Sequence, residues 1–66
     1  MNVNDFLSHI KHNSLGINIF TGNRIEFFGT VGEFKTAIVR QKLDDRKFDK
    51  IEPLSQELNI FLKEEA

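Results

Sequence analysis

The stretch of sequence that decides the fold is INIFTGNRIEFFGT, residues 17–30. Two runs rich in isoleucine and phenylalanine flank a Thr-Gly-Asn segment, and these small polar residues are typical of tight turns. Apolar and polar residues partly alternate in both runs, which is the pattern of half-buried strands. The stretch therefore predicts a β-hairpin.

The register of this hairpin depends on the length of its loop. A two-residue loop of Gly22 and Asn23 would pair Phe20 with Ile25 and scatter apolar residues over both faces. A three-residue loop that also includes Thr21, with the asparagine left-handed, gathers the apolar residues on one face. Because a buried face fixes register more strongly than turn preference does, we predict the three-residue loop.

The three-residue loop divides the hairpin into two faces. It pairs Ile19 with Ile25 and Ile17 with Phe27, so these four residues are predicted to form the inner face. The opposite face then carries Asn18, Phe20, Arg24, Glu26 and Phe28. Two phenylalanines are therefore predicted on the side that should meet water, with a glutamate between them.

Helices are predicted on both sides of the hairpin. Residues 3–12 have apolar side chains at i, i+3, i+4 and i+7, and Asn2 can cap this first helix. Thr30 and Glu33 have the spacing of a capping box, so a second helix begins there and ends at Lys42 or Leu43. Its predicted inner stripe is Val31, Phe34 and Ile38.

The last third of the chain allows two interpretations. Residues 47–53 have weak strand character, interrupted by Pro53, whereas residues 54–63 fit either a strand or a helix. The strand places Leu58, Ile60 and Leu62 on the inner side, and Phe61 on the outer side. We predict the strand because the helix would leave Ile60 at the edge of its apolar stripe.

These elements predict an α+β fold in one small domain spanning residues 1–66. Its order is helix, β-hairpin, helix and C-terminal β element, with a small antiparallel sheet and helices on one face. Chains this short bury only about 60% of the surface that they expose when unfolded. The 66 residues contain no cysteine, which excludes disulfides and thiolate zinc sites as supports.

Charge and hydropathy exclude several function classes. Nine basic and ten acidic residues give a net charge of −1, so the charge balance does not indicate a nucleic-acid or anionic membrane partner. No apolar stretch is long enough for a membrane span or a secretion signal. A cytoplasmic location without membrane partners is expected.

No combination of residues predicts catalysis, a cofactor or a metal. Asp5, His9 and His12 share one strip of the first helix, but a metal site needs more convergent ligands and groups that hold them. Asp44 and Asp45 lie in a polar loop beside Arg46 and Lys47, where ion pairs with these neighbours are expected and an active centre is not. We therefore predict a protein that is not an enzyme, with no catalytic, cofactor-binding or metal-binding residues.

The segment KLDDRKFDKIEPLSQELNIFL, which follows the hairpin and a GTVGEF helix start, carries a resemblance. It resembles small proteins of unknown function encoded by phages and prophages of Gram-positive bacteria. The matching residues are Leu43, Asp45, Arg46, Phe48, Ile51, Glu52, Pro53, Leu58, Ile60 and Leu62. The resemblance covers residues 17–63 and implies a terminal β element and a mobile-element origin, without any catalytic residue.

The unexplained phenylalanines give the functional prediction. Exposed apolar patches usually mark interfaces, so we predict a non-catalytic protein-interaction module whose partner is a second copy or a host protein. Its predicted partner-binding residues are Asn18, Phe20, Arg24, Glu26, Phe28 and Phe61. Together with the resemblance, this predicts a phage or prophage accessory factor that binds or inhibits a host protein. Three alternatives stay open: a single-stranded nucleic-acid binder that uses the same face, a structural part of a virion, or burial of that face within the chain.

Overall fold

The computed structural model describes residues 2–63, which form three short helices and one four-stranded sheet. The elements are α1 (Val3–Ser8), β1 (Gly16–Thr21), β2 (Arg24–Thr30), α2 (Val31–Thr36), α3 (Arg40–Leu43), β3 (Phe48–Pro53) and β4 (Glu57–Leu62). The strand order is β2-β1-β4-β3. The predicted α+β class is confirmed.

The sheet is mixed rather than wholly antiparallel. β1 pairs antiparallel with β2, and β3 pairs antiparallel with β4, but the two central strands β1 and β4 run parallel. The chain between β2 and β4 contains α2, α3 and β3, which carry it back so that β4 enters the sheet in the direction of β1. Parallel neighbours need such a long connection, whereas each antiparallel pair here is joined by a short turn.

The hairpin turns through a two-residue loop, so the predicted three-residue loop is wrong. Thr21 lies opposite Arg24, which leaves only Gly22 and Asn23 in the turn. Gly22 has a φ of 60°, and no described residue other than glycine has a positive φ. Glycine at the first loop position with a positive φ is the arrangement of a type II′ turn.

A β-bulge reconciles this short loop with a buried face. Phe20 pairs with Ile25 next to the turn, as the rejected register requires, but the following pair is Ile19 with Phe27. Glu26 is therefore the extra residue, and it shifts the rest of β2 by one position. The bulge returns Phe27 to the inner face while Ile25, predicted to be core, is 56% exposed.

All three helices pack on one face of the sheet, as predicted. The buried residues form one cluster: Val3, Leu7, Ile17, Ile19, Val31, Phe34, Leu43, Ile60 and Leu62. Phe27 packs against this cluster, and its ring meets that of Phe34 edge to face, with ring centroids 5.1 Å apart. The side of the sheet that holds this cluster is called the inner face.

The first helix is shorter than its apolar pattern predicts. The Asn2 cap is confirmed, since its Oδ1 accepts a hydrogen bond from the Asp5 backbone N–H at 2.8 Å. However, α1 ends at Ser8 instead of residue 12. The chain beyond it is held by the start of α2, where the Val31 N–H donates to the Leu15 carbonyl at 2.9 Å.

The second predicted helix is divided in two. Its capping box is confirmed: the Thr30 N–H donates to Glu33 Oε1 at 2.9 Å, and the Glu33 N–H donates to Thr30 Oγ1 at 3.1 Å. The helix stops at Ala37, which is extended with a ψ of 144°. Ile38 is consequently 85% exposed and does not belong to the inner stripe. A separate helix, α3, follows the break and contains the buried Leu43.

The C-terminal segment is the strand β4, which settles the alternative that the sequence left open. Ile60 is fully buried at the centre of the sheet, between Ile19 of β1 and Ile51 of β3. A central position in a sheet gives this residue neighbours on both sides. The helical interpretation offered no such burial.

Candidate interaction surface

The outer face of the sheet is the side opposite the helices. Cross-strand pairing places nine residues there: Ile25 and Phe28 of β2, Asn18 and Phe20 of β1, Glu57, Asn59 and Phe61 of β4, and Lys50 and Glu52 of β3. Within residues 2–63, no helix covers these side chains. They divide into an apolar row and a polar ladder.

The apolar row runs across β2, β1 and β4 and ends beside Lys50 of β3. Phe20 lies directly beside Phe61, and their rings stack with centroids 5.2 Å apart and an interplanar angle of 17°. Ile25 is the neighbour of Phe20 on β2, and Lys50 places its Nζ 5.5 Å from the centroid of the Phe61 ring. Phe20 and Phe61, each predicted to face outward, are thus in direct contact in the structure.

The polar ladder runs parallel to this row. Asn18, Asn59 and Glu52 each lie two positions away along their strand, which is the next position on the same face. Asn18 Nδ2 donates to Asn59 Oδ1 at 3.0 Å, and Asn59 Nδ2 donates to Glu52 Oε1 at 3.4 Å. Asn18 Nδ2 also lies 3.4 Å from Glu57 Oε1. These bonds join three strands through side chains and fix both amides in one orientation.

The most exposed apolar groups lie on the edge strand β2. Phe28 is opposite Asn18 and is 73% exposed, while Ile25 is 56% exposed. Phe20 and Phe61, in the middle of the sheet, are only partly exposed. The apolar side chains of the outer face are thus most exposed to solvent at the β2 edge of the sheet.

The predicted charged residues of the site form an ion pair beside the turn. Arg24 Nη2 lies 3.0 Å from Glu26 Oε1, and Arg24 Nε donates to the same oxygen at 3.0 Å. Glu26 is the bulge residue, so it does not sit in regular alternation between two phenylalanines as predicted. Exposed pairs of this kind contribute about 0–1 kcal/mol.

Sequence reasoning missed five residues of the surface: Ile25, Lys50, Glu52, Glu57 and Asn59. The two-residue loop was the signal for Ile25, because it pairs this residue with outward-facing Phe20. The alternation of β4 was the signal for Asn59, which shares a face with Phe61. Lys50 and Glu52 had no such signal, since the β3–β4 pairing depends on tertiary structure.

Other kinds of site find little support in the described chain. Within residues 2–63, no group of three or more histidine and acidic side chains is placed to hold a metal ion. No helix of this part of the chain has the length and apolar character needed to cross a membrane. The outer face is therefore the feature from which function is inferred.

Comparisons of the chain with protein-family models, curated proteins and solved structures found no match.

Proposed function

We propose that this chain is a non-catalytic protein-interaction module that binds its partner through the outer face. One observation carries the proposal: helices cover one side of the sheet, while the other side presents a row of aromatic and aliphatic groups. Contiguous apolar surface of this kind marks interaction sites on small proteins. Aromatic side chains are also those that contribute most to binding energy at interfaces.

The rigidity of the surface supports this function. Phe20 and Phe61 are held by stacking on each other, and the Asn18–Asn59 bond fixes the adjoining ladder. Side chains that are already ordered lose little conformational entropy on binding. The outer face is thus prepared to dock against a partner without rearrangement.

The aromatic geometry favours a protein partner over single-stranded nucleic acid. Base stacking needs an open ring face, but Phe20 and Phe61 turn one face of each ring toward the other. The ammonium group of Lys50 lies over the Phe61 ring as well. The ring faces occupied by these contacts are not open to a base.

The charges of the outer face also favour a protein partner over single-stranded nucleic acid. Lys50 Nζ lies 3.6 Å from Glu52 Oε2, and Arg24 is paired with Glu26. Phosphate binding needs basic groups that gather along a backbone path. Here each basic group of the surface is accompanied by a carboxylate, which would repel phosphate.

The resemblance to phage and prophage proteins suggests the partner. An accessory factor of this size acts more readily by covering a surface of a host protein than by catalysis. We infer that binding through the outer face inhibits such a host protein. This step rests on the resemblance and not on the geometry of the sheet.

Site-specific photo-crosslinking tests the proposed function. Phe28 and Ile38 are each replaced by p-benzoylphenylalanine in the chain produced in bacterial cells, and adducts are identified by mass spectrometry. We expect a defined protein adduct at position 28 and none at position 38, which is 85% exposed but lies between α2 and α3. Equal adducts at both positions, or none at position 28, would contradict the proposal.

Titration with a fluorescent single-stranded oligonucleotide tests the alternative. We expect no binding at low salt, since phosphate contacts are strongest under that condition. Tight binding that weakens steeply with added salt, and that Phe61→Ala abolishes, would overturn the protein-interaction module in favour of a nucleic-acid binder.

A further inference from the structure

The outer edge of β2 pairs with no other strand of the sheet, and it carries the most exposed apolar side chains of the interaction surface. Phe28 and Ile25, the two exposed apolar side chains of the outer face, both belong to this strand. Ile25, Glu26, Phe27 and Phe28 also line a shallow depression of about 350 Å³. Consecutive strand residues normally point to alternate faces, so this depression lies along the edge of the strand.

The opposite edge of the sheet is protected against strand addition. β3 ends at Pro53, which has no backbone N–H, and a bulge shifts its register between Phe48 and Lys50. The N-terminal segment also covers the residue just before β3, because Asn2 forms an isolated antiparallel β-bridge with Lys47. Proline, bulges, lysine and covering segments are the devices that keep edge strands from pairing.

The edge of β2 lacks most of these devices. The strand contains no proline, and its one bulge lies at Glu26, near the turn. Beyond it, residues 27–29 are uncharged and pair regularly with β1, and the Thr30 N–H that follows is bonded to Glu33 Oε1 at 2.9 Å. One edge of this sheet is therefore blocked, and the other offers a short regular stretch flanked by exposed apolar side chains.

We propose that a second copy of this chain binds along β2, so that the two β2 strands lie antiparallel about a two-fold axis. This inference rests on the proposed function and names a partner for the same surface. Pairing β2 with β3 of another copy would build an open-ended fibre, but the protected β3 edge opposes it. Pairing β2 with β2 closes at two copies and forms one eight-stranded sheet.

The distribution of charge on β2 fits this arrangement. Antiparallel pairing centred on Phe28 sets Phe28 opposite its counterpart in the other copy and places the two Arg24–Glu26 pairs at opposite ends of the seam. A two-fold axis perpendicular to the sheet keeps both outer faces on the same side. Phe28 of each copy then lies at the seam, where the apolar side chains of both strands can bury one another.

Sedimentation equilibrium over a hundredfold range of protein concentration tests the pairing. The wild-type chain should shift from monomer to dimer as its concentration rises. Phe28→Lys should weaken this association at least tenfold, because it brings like charges together at the seam. Ile38→Lys, which alters an equally exposed apolar residue away from the sheet, should leave the association unchanged.

Amide hydrogen exchange of the wild-type chain locates the contact without any substitution. Amides of residues 27–29 should exchange more slowly at dimer-forming concentration, whereas those of Phe48–Pro53 should not change. A dimer in which β2 shows no such protection, or which Phe28→Lys leaves intact, would overturn the β2 pairing. Far-UV circular dichroism verifies that each variant is folded.

The outcomes separate this inference from the proposed function. A wild-type chain that stays monomeric throughout overturns the self-pairing. If position 28 still crosslinks to another protein, the interaction module stands with a different partner. A strict monomer without adducts at position 28 overturns both.

Discussion

Asn59 is the residue on which the polar half of the outer face depends. It accepts a hydrogen bond from Asn18 and donates one to Glu52, so it connects β1, β4 and β3 through side chains. Its amide also places polar atoms in the middle of the outer face, beside the apolar row. Asn59 thus contributes both to stability and to the shape of the surface.

Asn59→Ala should lower the free energy of unfolding by about 1–2 kcal/mol, because two partly buried hydrogen bonds are lost. Urea denaturation measures this change. Gln41→Ala, at an exposed position of α3, is the matched control and should remain within about 0.5 kcal/mol of wild type. Equal stability of the two variants would show that the ladder contributes nothing.

Gly29 occupies a position where a side chain does not fit. Its φ is 154°, and an added Cβ would lie 3.1 Å from Phe27 Cζ and 3.1 Å from Glu33 Oε1. The ring of Phe27 packs against the core, and the Glu33 carboxylate belongs to the capping box of α2. If the Phe27 ring moved away it would lose packing against the core, and if the Glu33 carboxylate moved away it would lose its hydrogen bond with the Thr30 N–H.

Gly29→Ala should therefore destabilise the protein by about 1–3 kcal/mol through backbone strain and overpacking. Gly16→Ala provides the comparison, since its added Cβ would meet Glu57 Cγ, a flexible side chain, at 3.1 Å. We expect less than about 1 kcal/mol there. Thermal and urea unfolding of both variants measure these losses. A larger loss for Gly16→Ala than for Gly29→Ala would contradict the prediction.

At the scale of elements, Arg40 links the two halves of the divided second helix to each other and to α1. Its guanidinium donates to the Lys35 carbonyl at 2.9 Å and to Asp44 Oδ2 at 2.9 Å, and it reaches Asn4 Oδ1 at 3.3 Å. One side chain thus satisfies a carbonyl near the end of α2, pairs within the α3 turn and contacts α1. The three short helices are held together in part by this network.

Arg40→Ala should cost about 1–3 kcal/mol of stability, as expected for hydrogen bonds from a charged group. Arg40→Lys should restore little, because an ammonium cannot reproduce the planar fork of donors. Lys42→Ala, an exposed basic residue of the same helix, is the control. Full rescue by lysine, measured by urea unfolding, would contradict a geometric role.

At the scale of the whole molecule, the outer face combines residues that stabilise the fold with residues that are free to bind. Phe20 is partly buried and stacked on Phe61, whereas Phe28 is 73% exposed at the sheet edge. The two phenylalanines, equivalent in the sequence pattern, should therefore respond differently to substitution.

Phe20→Ser should lower the stability of the monomer by about 1–3 kcal/mol, since it removes a stacked pair and its buried area. Phe28→Ser should change it by less than about 0.5 kcal/mol. Unfolding at concentrations too low for association measures both. Equal losses would indicate that Phe28 is also part of the core.

Local patterns explain which elements could be predicted. The hairpin, the Asn2 cap, the Thr30–Glu33 capping box and the strand β4 each depend on neighbouring residues. The early end of α1 and the break at Ala37 could not be predicted in this way, because no glycine or proline marks either position. The segment after α1 is instead bonded to the start of α2, a contact between parts of the chain that local patterns do not relate.

The sequence by itself determined the α+β class, the two faces of β1 and β4, and an excess of phenylalanine over what one core face needs. These features follow from periodicity and capping, which act over a few residues. The tertiary structure alone decided the bulge at Glu26, the parallel pairing of β1 with β4, and the contact of Phe20 with Phe61. Each of these joins strands whose order and register depend on how the whole chain buries its apolar surface.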